Sequence, residues 1–319
     1  MSTTPLIEAE APAAAGAYAA VLPLVSAASP APTAAKPLAG PAIVSLEEAP
    51  KWTRVAFIAQ GYRVRHSYSS TLLSLFTLHS DTFNVWSHVA GFAYFACSAP
   101  AVFAALARHG APPQDVAFFA VSIACSLLQM GSSALYHLFR CVSLEDETRW
   151  LRVDIFGILA QIFGAFLLFL TQAFRCSLPA LASYMAVELL LLAVFVHYGQ
   201  LYNQPGQYTA YQVRYYSAAV LAVGFGLVPG AHALATAASA ELLHIGAATL
   251  FGALGAYAVG LAFMVARVPE RLASGQLTSV LNSHGVWHLF VWLAGAITLQ
   301  GLLAFNGAFM REGACPLKT

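Results

Sequence analysis

The chain has 319 residues, of which 59% are apolar and only 9% charged, and its formal net charge is +1. Soluble domains carry about 25% charged residues, so this composition excludes a freely soluble fold and points to an integral membrane protein. The near-zero charge balance also excludes the basic surface that a nucleic-acid partner requires.

Residues 1–50 are rich in Ala, Pro and Ser without a helical period, and read as a disordered tail. The run AAAGAYAAVLPLVSAAS has the look of a signal-peptide core. Glu8 and Glu10 precede it and no Lys or Arg does, which favours the tail reading. Residues 51–81 mix KWTRVAFIAQGYRVRH with SSTLLSLFTLH, the pattern of a short amphipathic helix lying on a cytosolic membrane interface. Seven stretches then reach the roughly 20 apolar residues that a spanning helix needs: 82–106, 116–139, 153–174, 178–199, 213–235, 242–266 and 284–308. The expected fold is therefore all-α, a polytopic seven-helix bundle over 82–308, followed by a short tail at 309–319. Short connections imply antiparallel neighbours. The longest connection, RVPERLASGQLTSVLNS, is punctuated by Pro, Gly and Ser. Small residues in GFGLVPG and GALGAYAVG allow close helix approach, and Pro229 is expected to kink the fifth span. Cys97, Cys125, Cys141, Cys176 and Cys315 form no CxxC pair and read as membrane-core residues rather than a disulfide or metal framework.

Orientation follows from the distribution of Lys and Arg. With the N-terminus cytosolic, eleven of the fifteen fall on the cytosolic side: Lys36, Lys51, Arg54, Arg63, Arg65, Arg140, Arg149, Arg152, Arg214, Arg267 and Arg271. Only Arg108, Arg175, Arg311 and Lys318 fall outside. The C-terminus is then outside, opposite to a G-protein-coupled receptor. A retinal protein is excluded as well, because Lys occurs only at 36, 51 and 318.

This topology brings Asn84, His88, His137, Asp154, His284 and His288 to the cytosolic end of one bundle. His284 and His288, at i and i+4, share a helix face, and His137 from another helix would make three imidazoles. Three protein ligands and an open position is the usual catalytic zinc arrangement, in which the metal lowers the pKa of its water to about 7. Asp154 is placed to orient such a water and act as base. Ser133, four residues before His137, is placed to donate to that water or to a substrate carbonyl. The plainer reading stands beside it: the His284/His288 pair as an interhelical clasp, Asp154 paired with Arg149 or Arg152, Asp81 and Asn84 as a helix cap. His197 and His244 read as packing or interfacial residues, and Glu188 as a buried carboxyl bonding a neighbouring helix.

Three blocks carry a resemblance to a known family. GYRVRHSYSSTLLSLFTLHSDTFNVWSHVAG, SSALYHLF with VDIFGI, and VPERLASGQLTSVLNSHGVWHLF together resemble the progestin and adipoQ receptor (PAQR) family, which includes adiponectin receptors, membrane progestin receptors and bacterial hemolysin III proteins. The resemblance spans about 55–305. It implies a seven-helix fold with a cytosolic N-terminus and zinc (Zn2+) held by His137, His284 and His288, with Asp154 beside the metal's water. It also implies a ceramide-type amide hydrolase activity linked to signalling or to lipid and zinc homeostasis. The chain departs from the family's pattern at Asp81, where Glu is usual, and at Gly285, where Gln is common. It departs again at LTSV, where Phe-Asp is usual.

Two functions of different class follow. One is a zinc-dependent hydrolase of a membrane lipid or sphingolipid-like amide, with Asp154 as base and Ser133 or the metal stabilising the oxyanion. The other is a non-catalytic receptor for an extracellular or steroid ligand, with structural zinc. The plasma membrane is the expected location, an internal membrane the alternative.

Overall fold

Cap chemistry sets where three of the long helices begin. Ser143 accepts a hydrogen bond from the Asp146 backbone, Ser239 from that of Leu242 and Asn282 from that of Gly285, each replacing an intrahelical partner that a helix N-terminus lacks. The computed structural model describes residues 41–202, 220–221, 223–273, 275–313 and 315.

In chain order these form β1 (Ala42–Ser45), β2 (Gln60–Val64), α1 (Tyr68–Leu73), α2 (Thr82–His109), α3 (Pro113–Phe139) and α4 (Leu144–Ala173). There follow α5 (Leu178–Tyr202), α6 (Leu227–Ala235), α7 (Ala240–Ala266), α8 (Gln276–Val280) and α9 (Ser283–Glu312). Six helices, α2, α3, α4, α5, α7 and α9, are long and apolar enough to cross a membrane. A shorter apolar helix, Val223–Ala235, holds the described end of the fifth expected span, whose residues 213–219 and 222 lie outside the described residues. The architecture is the expected all-α multi-pass membrane bundle.

Three expectations need correction. Residues 42–45 lie in the stretch read as tail, yet they form β1 and pair antiparallel with β2. Val44, Ala49, Ile58, Tyr62 and Val64 make a small core between them, and Tyr62 locks it by donating to the carbonyls of Val55 and Ile58. Alternation over four residues is too short to read as a strand without that partner. The expected interfacial helix is confined to α1, which exposes Leu72 and Leu73, while the segment after it exposes Phe76 and Leu78. The third correction concerns cysteine: Cys176 and Cys315 form a disulfide across 139 residues, so only Cys97, Cys125 and Cys141 are free. Cys176 lies between α4 and α5 and Cys315 just beyond α9, and only the tertiary fold brings those positions together.

Helix α4 starts nine residues before the expected span. Its first turn carries Glu145, Asp146 and Glu147, which favour the positive end of a helix dipole and extend the helix into the polar zone. Pro229 acts as expected: the helix is interrupted at Gly226, where the proline ring would meet the preceding turn.

The end of the bundle remote from His284 and His288 is closed by a buried polar network. Arg175 reaches Asp115 at 2.6 Å and Gln172 at 2.6 Å, while Asn306 donates to Asp115 at 2.8 Å and to Gln172 at 3.0 Å. This ties α3, α4 and α9 beside the disulfide. Removing one partner of such a buried set leaves an uncompensated group, which makes the arrangement specific.

Close approach of α3 and α4 positions the other end. A Cβ at Gly157 would lie 3.0 Å from the Gln129 Cα and would overlap the Ser132 side chain. Gly157 is one turn from Asp154, and Ser132 adjoins Ser133, so this contact sets the distance between those two polar residues. Gly157→Val should therefore lower the stability of the detergent-solubilised protein by about 1–3 kcal/mol through overpacking. A thermal midpoint matching wild type would disprove the contact.

Candidate metal centre

His284 and His288 lie on the first two turns of α9, after the Asn282 cap. Their Nε2 atoms are 3.2 Å apart. Two nitrogens each about 2.0–2.1 Å from a tetrahedral zinc would be separated by about 3.3 Å, so the pair already has the spacing of two ligands on one ion. His137, in the last turn of α3, brings its ring centroid to 5.1 Å from His284 and 4.8 Å from His288. One ligand atom from each of the three lies within 4.8 Å of the others.

The remaining ring nitrogens decide between ligand set and clasp. His288 turns Nδ1 to the Asn84 backbone carbonyl at 3.3 Å, and His137 turns Nδ1 to the Asp81 carboxylate at 3.4 Å. His137 Nε2 has no protein partner although the residue is only 1% exposed. A clasp would satisfy that nitrogen; an open ligand position explains it. Ligating histidines typically carry this arrangement, the second nitrogen held by a carbonyl or carboxylate. The donor set of three imidazoles suits zinc and similar transition ions.

Asp81 sits at the N-cap position of α2 but makes no cap hydrogen bond. Its carboxylate is drawn instead to Arg63 at 3.2 Å, Arg140 at 3.7 Å and His137. Burial opposes its ionisation. The hydrogen bond with His137 and the charges of Arg140 and Arg63 outweigh that and hold its carboxyl well below the usual carboxylate range.

Ser133 and Asp154 are both buried. Asp154 Oδ1 has no partner. The rival ion pair is not formed: Arg149 binds Glu145 and Asp146 instead. Asp154 stands outside the three-histidine group itself. His88, 1% exposed, packs its ring edge-on against His288 with centroids 4.0 Å apart, a fourth imidazole beside the group but not among its ligands. Glu188 is fully buried with both carboxylate oxygens unpartnered, so the hydrogen bond to a neighbouring helix expected for it is absent.

Three supporting residues escaped the reading of the sequence. Arg63, 2% exposed, donates to the His137 carbonyl at 2.7 Å and to Ser74 at 2.9 Å as well as to Asp81. Glu270, from the Pro-Glu-Arg loop, accepts from the Ser283 backbone at 2.7 Å and from its hydroxyl, fixing the start of α9. Asn282 also donates to the Ser80 carbonyl at 2.9 Å, joining α9 to the segment before α2. Arg63 was visible only as one more positive charge, and Glu270 only as a loop residue.

Residues 76–299 match the family described as haemolysin-III related. The chain is 30% identical over 257 residues to Heptahelical transmembrane protein 1 of Arabidopsis thaliana, covering 76% of this chain and 74% of that one. It is 29% identical over 252 residues to Progestin and adipoQ receptor family member 3 of Mus musculus, covering 77% and 78%. To the Adiponectin receptor protein of Drosophila melanogaster it is 25% identical over 273 residues, covering 79% of this chain and 57% of that one.

Gly285, between the two α9 ligand candidates, has a steric cause. A Cβ there would strike the Phe83 ring and come within 3.0 Å of Asn84 Oδ1. Gly285→Gln should thus destabilise the protein by about 1–3 kcal/mol, and adding Phe83→Ala should recover most of that loss. Thermal unfolding of the two single variants and the double variant measures the coupling; strictly additive losses would contradict this account.

Proposed function

The chain belongs to the haemolysin-III-related family, and from that premise we propose that it is a zinc-dependent hydrolase of membrane lipid amides, of ceramide type, working at the His137, His284 and His288 centre. The observation that carries the reading is the buried His137 ring, with Nε2 unpartnered, one ligand atom of which lies within 4.8 Å of His284 and His288 nitrogens already at ligand spacing. When bound, zinc would supply Lewis acidity and make a hydroxide available near neutral pH.

The residues of the chain divide the remaining work. The three imidazoles would hold the ion, and two of them, His137 and His288, are oriented by second nitrogens tied to protein groups. Asp154, with Oδ1 free, accepts a proton from the attacking water and returns it to the leaving amine. Ser133 is the candidate donor to the developing oxyanion. An apolar cavity lies between α4, α6, α7 and α9, with Ile162, Phe166, Leu250, Tyr257, Leu302 and Phe305 among its walls. Its lining reaches Thr298, ten residues after His288 and so about 15 Å along α9. An acyl chain fits such walls, and its amide would lie toward the histidines.

The relatives named as receptors support the second reading, a ligand-driven receptor with structural zinc. Metal analysis and fatty-acid release from ceramide separate the two. Purified wild type should hold about one zinc per chain and His137→Ala none. Asp154→Asn should keep the metal but release fatty acid about 10²–10⁴-fold more slowly. Zinc-loaded wild type that releases no fatty acid from any lipid amide would favour the receptor.

For orientation, we propose that the histidine end faces the cytosol. The charge distribution supports this, and so does the disulfide at the opposite end, since disulfides persist on oxidising sides of membranes. In intact cells, Cys315→Ser should free Cys176 for an impermeant maleimide added outside. Labelling that appears only after permeabilisation would reverse the topology.

A further inference from the structure

We propose that Asp81 is a positioning residue of the histidine centre, holding His137 as the Nδ1-protonated tautomer with Nε2 turned to the metal. The inference rests on the metal reading above.

The geometry has four parts. Asp81 Oδ1 lies 3.4 Å from His137 Nδ1, and the other nitrogen of that ring is buried without a partner. An imidazole whose Nδ1–H is held by an anion presents its Nε2 lone pair. Asp81 forgoes the capping role its position at the start of α2 offers. The carboxylate is itself fixed: Arg63 binds Oδ2 at 3.2 Å, Asn84 donates to Oδ1 at 3.3 Å and Arg140 stands 3.7 Å from Oδ1. Finally, Arg63 binds both ends of the contact, since the same NH2 group donates to the His137 backbone carbonyl at 2.7 Å. One guanidinium thus fixes the distance between the carboxylate and the imidazole's own backbone.

A purely structural ion pair would need only Arg63 and Arg140. It would not require the carboxylate to face a ring nitrogen, nor would it explain why His288 is held by the same device, its Nδ1 on the Asn84 carbonyl one turn along α2. Positions 81 and 84, one turn apart at one helix N-terminus, therefore orient two of the three imidazoles.

The test is a zinc competition titration on monodisperse detergent-purified protein. Asp81→Asn should weaken zinc binding about 10- to 100-fold, and Asp81→Glu, which keeps the anionic acceptor, should remain within about threefold of wild type. Asp81→Asn binding as tightly as wild type overturns the proposal and leaves the metal reading standing. Wild type that binds no zinc overturns both. Asp81→Asn leaves two buried guanidinium groups short of an anion, so a measurement on wild type alone is needed as well. With 15N-labelled histidine, zinc should shift the His137 Nε2 resonance and leave Nδ1 protonated. Metal-dependent change at Nδ1 instead would overturn the proposal whether or not the variant folds.

Discussion

The ion pair between Arg63 and Asp81 stands where a bundle of apolar helices would otherwise leave charges and ring nitrogens without partners. Among lipid-facing helices no water can compensate such groups, so each must be met by protein or by an ion. Arg63 meets Asp81, the His137 carbonyl and Ser74 together. Asp81 in turn meets His137, Asn84 and Arg140. His137 Nε2, both ring nitrogens of His88 and Asn84 Oδ1 are left buried without a partner. The candidate centre lies where His137 meets His284 and His288. The β1–β2 pair has a matching purpose: β2 carries Arg63, and its Gly61 carbonyl accepts from the Ser80 backbone at 2.8 Å, joining the strand to the segment before α2.

The two ends of the bundle solve the same problem differently. At the disulfide end Arg175, Asp115, Gln172 and Asn306 bond one another and tie α3, α4 and α9, and a covalent bond stands beside them. Buried polar atoms without a partner remain at both ends, Gln172 Nε2 and Asn306 Oδ1 at this one, His137 Nε2 and Asp154 Oδ1 at the other. What sets the histidine end apart is its donor set: three imidazoles bring one ligand atom each within 4.8 Å of one another.

Much of this was legible in the order of residues, for a physical reason. Spanning helices write their length and depth directly into hydropathy, so the depths of His137, Asp154, His284 and His288 could be compared before any helix was paired. Helical periodicity placed Ser133 on the His137 face in the same way. What escaped depends on contacts that no local pattern encodes. Arg63 must cross from a strand to a helix end 74 residues away, Glu270 gains its role only when Ser283 folds back onto it, and Cys176 meets Cys315 across 139 residues. The early start of α4 is different in kind. Its capping serine and acidic first turn were on view, but a hydropathy window discounts the polar turn that begins a membrane helix.

The departures from the family's pattern at Asp81 and Gly285 are 204 positions apart in sequence, yet in space they converge on one joint. Phe83 and Asn84 lie in the first turn of α2, just after Asp81 at its N-cap position, and Gly285 packs on that turn through Phe83 and Asn84. With the Phe83 ring filling the space between the helices, a side chain at 285 has nowhere to go. The α2–α9 contact is also the one through which Asn84 holds His288 and Asn282 holds Ser80. A change on one side must be answered on the other if the imidazoles are to keep their spacing. Both departures therefore read as adjustments that preserve the centre. The apolar walls between α4, α6, α7 and α9 carry no such constraint, and residues there can vary without moving a histidine.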